Sequence, residues 1–240
     1  MVDRDVLMKP EAKREFVRRM FDGIAGTYDL LNHVLSLGID IVWRKKTIDK
    51  LNPGANWRIL DLATGTGDLG FESAKRDTSI DVVGVDLSVP MLRKGVEKSP
   101  ARSDALTFLC GDGEYLPFPR AIFDGLTIGF GIRNVANLEP ALHEIFRVLK
   151  PGGRAAILEF SRPRTPLFRG IYNFYFKCVL PRIGRVISRD QSAYHYLYES
   201  VMRFPEGPEF CRRLEEVGFS QVQEFRLTFG IATIYTAHKD

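Results

Sequence analysis

The chain has 240 residues, 45% hydrophobic and 27% charged, with a net charge of +4. That size and balance suit one soluble α/β domain carrying an insertion. No stretch of about twenty apolar residues could span a bilayer, and no N-terminal apolar run suggests a signal peptide. Cys110, Cys178 and Cys211 lack disulfide or zinc spacing, and the four histidines lack metal-ligand spacing. The expectation is a cytoplasmic protein with buried thiols and no metal.

Residues from about 11 to 50 read as helical, with Phe16, Phe21, Tyr28 and Trp43 as aromatic anchors. Strand-like and helical patterns then alternate. Arg58–Leu62 is the first strand and Asp68–Lys75 its helix. Asp81–Val85 is the second strand, followed by a helix over Met91–Lys98. Leu106–Cys110 and Phe123–Ile128 are the third and fourth strands. A helix over Leu138–Leu149 is stopped by Lys150-Pro151-Gly152-Gly153, which cannot continue it. Arg154–Glu159 is the fifth strand. A helix over Pro208–Val217 precedes strands Ser220–Leu227 and Ile231–His238, whose short link predicts an antiparallel hairpin. The order predicts a Rossmann-like, doubly wound α/β sheet of seven strands. It divides the chain into an N-terminal helical cap (1–50), a core (51–160), a helical lid insertion (161–205) and a C-terminal helix with hairpin (206–240).

The first strand runs through Asp61 into Ala63-Thr64-Gly65-Thr66-Gly67-Asp68, and Asp86 ends the second. A glycine turn lets backbone approach a ligand, and a carboxylate on the next strand can take two ribose hydroxyls. Gly65, Gly67 and Gly70 also fit G-x-G-x-x-G, so a nicotinamide dinucleotide is an alternative. Asp61 and Asp68 would oppose a diphosphate at the helix N-terminus, whereas the sulfonium and ammonium of S-adenosylmethionine suit them. Asp68 as a simple helix-dipole residue is the plainer reading. Asp112 ends the third strand where it could accept from an adenine amino group. Leu87 and Gly113 could line the base.

Tyr28-Asp29 with Asn32, Ser36 and Trp43 forms one block, and Arg147–Gly153 continuing to Glu159 and Ser161 forms a second. Gly129-Phe130-Gly131-Ile132-Arg133-Asn134-Val135 follows the fourth strand. Tyr194, Tyr196, Leu197, Glu199, Ser200, Phe204 and Pro205 form a further block. Together, in this order, they resemble the menaquinone/ubiquinone biosynthesis C-methyltransferases of the class I S-adenosylmethionine-dependent superfamily. Leu31, Asp40 and Gly129 depart from that family's usual methionine, histidine and occasional serine.

The resemblance implies methyl transfer to a ring carbon of a polyprenylated demethylmenaquinol, with a ubiquinone precursor as the alternative. It implies cofactor contacts at Thr66, Asp86, Asp112 and Gly113, beside which the loop reading places Asp61, Gly65, Gly67, Leu87 and Gly129 as further candidates. Arg133 and Asn134 are the candidate catalytic pair. Arg133 would stabilise a phenolate, directly or through water, and Asn134 would orient the ring oxygen. Pairing of Arg133 with Glu159 is the competing reading. Tyr194, His195 and Tyr196 could also meet the ring, with core packing the alternative for the two tyrosines and a structural role the plainer reading of His195.

Between Ser161 and Arg189 stand seven cations and no acid, interleaved with aromatics. Phe168, Ile171, Tyr172, Tyr175, Phe176 and Val179 recur at helical spacing, and Pro181 limits that helix. A lid over a lipophilic quinol, touching anionic membrane surface, is expected. A core-packed helix with solvated arginines is the alternative. Nucleic acid is not expected as a partner, since no Asn-Pro-Pro-Tyr-type motif appears. A homodimer is left open. An oxidoreductase and a non-enzymatic binding module are the readings from other classes.

Overall fold

A computed structural model describes residues 9–99, 106–165, 170, 172 and 191–240. Three helices come first: α1 (Pro10–Ile24), α2 (Tyr28–Ser36) and α3 (Ile39–Leu51). The stretch expected to be helical therefore breaks twice. The second break is at Leu37-Gly38, where φ is 53° and 77° and no helix can continue.

The sheet and its helices follow as β1 (Arg58–Leu62), α4 (Asp68–Ala74), β2 (Asp81–Asp86), α5 (Val89–Lys98), β3 (Leu106–Cys110) and β4 (Phe123–Gly129). They continue as α6 (Leu138–Val148), β5 (Leu149–Phe160), α7 (Gln191–Arg203), α8 (Pro208–Val217), β6 (Ser220–Leu227) and β7 (Ala232–His238). The strand order is β3-β2-β1-β4-β5-β7-β6. The first five are parallel, and β7 runs antiparallel to both β5 and β6. The closing hairpin is thus antiparallel, as expected.

Helices cover both faces, so successive β1 residues are buried on opposite sides. Leu60 joins Leu126 and the α6 residues Leu142 and Ile145, whereas Ile59 joins Leu51, Val82 and Leu106. Strand β5 starts earlier than its Pro-Gly-Gly signal suggests. Leu149 already pairs with Phe123, and a register shift between Phe123 and Gly125 absorbs the irregular residues.

The thiol expectation needs correction. Cys110 is exposed because β3 is an edge strand, and Cys211 on α8 is only half-buried. Burial still pushes the Cys211 thiol up to about 11. Among the described residues, no three histidine, cysteine or acidic side chains gather as a metal site. The lid helix proposed around Phe168–Val179 lies largely outside the described residues. Within it, Tyr172 is buried against Leu31.

Candidate functional site

Strand β1 lies between β2 and β4, so the chain leaves it toward opposite sides of the sheet at this point. Such a switch point opens a crevice at the carboxyl ends of the strands. Here it is a cleft open to solvent. Gly65, Asp86, Leu87, Asp112, Gly113, Gly129 and Asn134 all stand on its wall. Seven of the residues singled out in the sequence are therefore brought together.

Four others are not on that wall: Asp61, Thr66, Gly67 and Arg133. Asp61 turns inward behind the loop. Its carboxylate accepts from the hydroxyls of Thr64 at 2.5 Å and Thr127 at 2.7 Å, and from Gly70 N–H at 3.0 Å. Burial raises its pKa to about 6 against those hydrogen bonds. Its role is to clamp the loop onto β4 and α4. Thr66 also faces away, donating to Asp29 Oδ1 on α2 at 2.6 Å.

Gly67 has φ 85°, and a Cβ there would lie 2.8 Å from Phe108. It is required for the turn's shape. Asp68 carries its charge in ion pairs with Lys98 and Arg44 rather than toward a ligand. The charge argument that Asp61 and Asp68 face a cationic ligand is corrected accordingly.

Asp86 is fixed at the mouth of the cleft by N–H groups of Gly65 at 2.9 Å and Ser88 at 2.8 Å. Burial raises its pKa, and these hydrogen bonds oppose the rise. Ser88 also caps α5 by accepting from Met91 N–H. Helix α1 roofs the cleft. Arg14 pairs with Asp112 at 2.7 Å and Glu114 at 3.1 Å, while Asp22 accepts from Ser88 Oγ at 2.6 Å.

Tyr28, Met91, Glu114 and Arg14 line the cleft without having been assigned to it from sequence. Glu114 offered one signal, an acid two residues past Asp112. The α1 side chains offered none, because nothing in their spacing says which face meets the sheet.

Arg133 makes a buried ion pair with Glu159 at 2.7 Å and donates to the Phe130 carbonyl and to Ser200 Oγ. The competing reading of Arg133 is thus the observed one. Its guanidinium braces the turn after β4 and is committed before any phenolate arrives. Asn134 donates to the Phe130 carbonyl at 3.3 Å, leaving its buried Oδ1 on the cleft wall without a partner among the described residues. Of the family departures, Leu31 packs on Tyr172, and Asp40 accepts from Ser36 and pairs with Arg44. Gly129 lines the cleft without a side chain to offer.

The ubiE/COQ5 methyltransferase family matches residues 8–239. The chain belongs to this family. A ubiquinone/menaquinone biosynthesis C-methyltransferase of Geotalea daltonii is 47% identical over 236 residues, covering 97% of this chain and 100% of that one. A demethylmenaquinone methyltransferase of Bacteroides fragilis is 43% identical over 229 residues, covering 95% and 94%. Among solved structures, a possible histamine N-methyltransferase of Thermotoga maritima shares the fold with TM-score 0.65 at 19% identity, covering 93% and 100%. A phosphoethanolamine N-methyltransferase of Haemonchus contortus, solved with S-adenosylmethionine, gives 0.62 at 16%, covering 82% and 52%.

This methyltransferase uses S-adenosylmethionine, and the cleft fits that cofactor. Asp86 spends two acceptor positions on N–H groups and keeps others for a ribose diol. Gly65 has φ 57°, so the left-handed turn calls for glycine, while a Cβ there would only reach ordinary contact with the Met91 methyl at 3.4 Å. Asn134 Oδ1 supplies a buried acceptor unused among the described residues. The dinucleotide reading is set aside.

Proposed function

We propose that this methyltransferase transfers a methyl group to the ring carbon of a polyprenylated demethylmenaquinol. Full-length similarity to the Bacteroides fragilis demethylmenaquinone methyltransferase carries that reading. The same chemistry on a ubiquinone precursor is the second reading, favoured by the double name of the Geotalea daltonii relative. When bound, S-adenosylmethionine supplies an electrophilic methyl.

The chain's own residues supply position and charge. Asp86, Asp112 and the Gly65 turn hold the nucleoside end. Asn134 Oδ1 accepts from a ring hydroxyl and so orients the ring at the end of β4. Arg133, acting through its bond to the Phe130 carbonyl, is a positioning residue for that turn. A ring carbon is a weak nucleophile until the neighbouring phenol, with a pKa near ~10 by analogy with tyrosine, loses its proton. Holding the reacting groups at near-attack distance supplies much of the remaining acceleration.

The test is transfer of labelled methyl to reduced demethylmenaquinone and to a demethylated benzoquinol precursor, side by side. Label in the naphthoquinol supports the reading. Label confined to the benzoquinol moves it to the second pathway, and label in neither discards both acceptors.

A polyprenylated acceptor resides in a membrane, while no described helix is long and apolar enough to cross one. The cations between Ser161 and Arg189 support peripheral contact with anionic lipid. Liposome sedimentation that does not depend on anionic lipid would remove this part.

A further inference from the structure

A second cavity, open to solvent, lies beside the turn after β4 and shares Val135 and Ala136 with the cofactor cleft. Lys13 from α1 and Tyr196, Ser200 and Arg203 from α7 give it a polar wall. Leu138 and Phe204 give it an apolar one. Tyr196 is 3% exposed, and its hydroxyl has no hydrogen-bond partner among the described residues. An unmade bond of this kind costs about 1–3 kcal/mol, so the hydroxyl marks a seat for a ligand atom.

Charge balance narrows what that ligand is. Arg133 is committed to Glu159, and Arg203 lies 3.4 Å from Glu199. Glu114 faces Lys13 electrostatically but is taken up by Arg14 and by the N–H groups of Ala136 and Asn137. Arg14 is shared between Asp112 and Glu114, so Lys13 is the cation that completes their balance among the described residues. Balanced charge beside an apolar wall suits a neutral hydroxyl on a flat ring, not a phosphate dianion.

The lysine's hydrogen bonds specify its chemistry further. Lys13 Nζ donates to the carbonyls of Arg133 at 3.2 Å and Val135 at 2.5 Å. An ammonium has three N–H groups, and two carbonyls satisfy only two. The amine form keeps two N–H groups for those carbonyls and leaves a lone pair for a third partner. Burial lowers the Lys13 pKa to about 8, opposed by Glu114 and reinforced by Arg133 and Arg203. On the order of a tenth of the molecules then carry the amine at pH 7.

We propose that this cavity seats the acceptor's ring hydroxyl next to the reacting carbon, with Lys13 as the base that removes its proton and Tyr196 donating to the resulting oxygen. The assignment rests on the quinol reading above. In the step an O–H bond breaks and an N–H bond forms, so neutral phenol and neutral amine become phenolate and ammonium. After methylation the ring carbon's own proton leaves to water. The ammonium then returns its proton to the oxygen, and Lys13 ends as it began.

The site is tested first without turnover, by binding 4-nitro-1-naphthol, a coloured phenol, in the presence of S-adenosylhomocysteine. The bound dye is expected to ionise at lower pH than in solution. Lys13→Met should abolish that shift and weaken binding at least tenfold, and Tyr196→Phe should weaken it about threefold. Unchanged dye ionisation and affinity in Lys13→Met overturns the proposal. Affinity for S-adenosylhomocysteine within twofold of the parent chain verifies folding of each variant.

With reduced demethylmenaquinone, Lys13→Arg keeps the charge but cannot titrate. It should lower kcat about 100-fold and remove the inflection near pH 8 from its pH profile. Retention of that inflection also overturns the assignment. If the parent chain binds the dye through Lys13 yet methylates no quinol, the quinol reading falls and the site stands.

Discussion

Asp61 is held in its costly ionised form by three donors, and that gives it a measurable pH signature. Its folded pKa, about 6, lies above the ordinary carboxylate value, so the folded chain binds more protons than the unfolded chain between about pH 4 and 6. Its contribution to stability therefore rises as pH falls through that window. Urea unfolding of the parent chain and Asp61→Asn should diverge in the parent's favour from pH 7 to pH 4, by about 2–3 kcal/mol. A difference flat with pH would mean that Asp61 is not buried as described. The sequence marked Asp61 as special but could not show which way it points. Alternation along β1 puts it on the same face as Ile59, under the loop, and only the partners Thr64, Thr127 and Gly70 reveal that.

The buried pair Arg133–Glu159 makes a second residue-level prediction. Removing one partner strands the other charge, so Arg133→Ala should cost about 3–5 kcal/mol of stability. Removing both, as Arg133→Met with Glu159→Leu, should recover most of that loss. Thermal or chemical unfolding of the four forms closes the cycle, and purely additive losses would contradict a coupled pair. Stability and function should separate here, because the double variant loses the brace on the Phe130 carbonyl and should remain slow in turnover.

The loop from β1 to α4 is legible as an element because glycine chemistry specifies its turns. Gly65 and Gly67 occupy left-handed backbone, and Gly67 additionally abuts Phe108 and Phe71. Gly67→Ala combines backbone strain with overpacking and should destabilise the chain by about 2–4 kcal/mol. Calorimetry showing a loss below about 1 kcal/mol would mean that the aromatic pair yields easily. Helix α1 is the opposite case. Its periodicity establishes a helix, but its charged side chains look like any solvated face. Lys13, Arg14 and Asp22 become informative only once α1 is laid over the sheet, where each meets a different partner.

At the scale of the whole molecule, apolar runs and turn chemistry were enough to give seven strands and their hairpin, with the inner strands buried on both faces and the edge strands β3 and β6 partly exposed. Their boundaries slipped where a local signal met a tertiary one, as at β5. Identification of the cofactor from the loop acids reached the right ligand by a faulty step. Asp68 is neutralised by Lys98 and Arg44, residues distant in sequence, which no local motif could reveal.

Helix α1 is one rigid rod with two duties: Arg14 grips the nucleoside end of the cleft, while one residue earlier Lys13 enters the second cavity. Two ligands that touch the same helix are coupled to the extent that each shifts its position. Whatever factor one occupant lends to the other's affinity must be returned in full when the order is reversed. Titration calorimetry of S-adenosylhomocysteine with and without 4-nitro-1-naphthol, and of the dye with and without the nucleoside, should give one shared factor above unity. Adjacent side chains on a single helix turn would make the enzyme count its reactants as a pair.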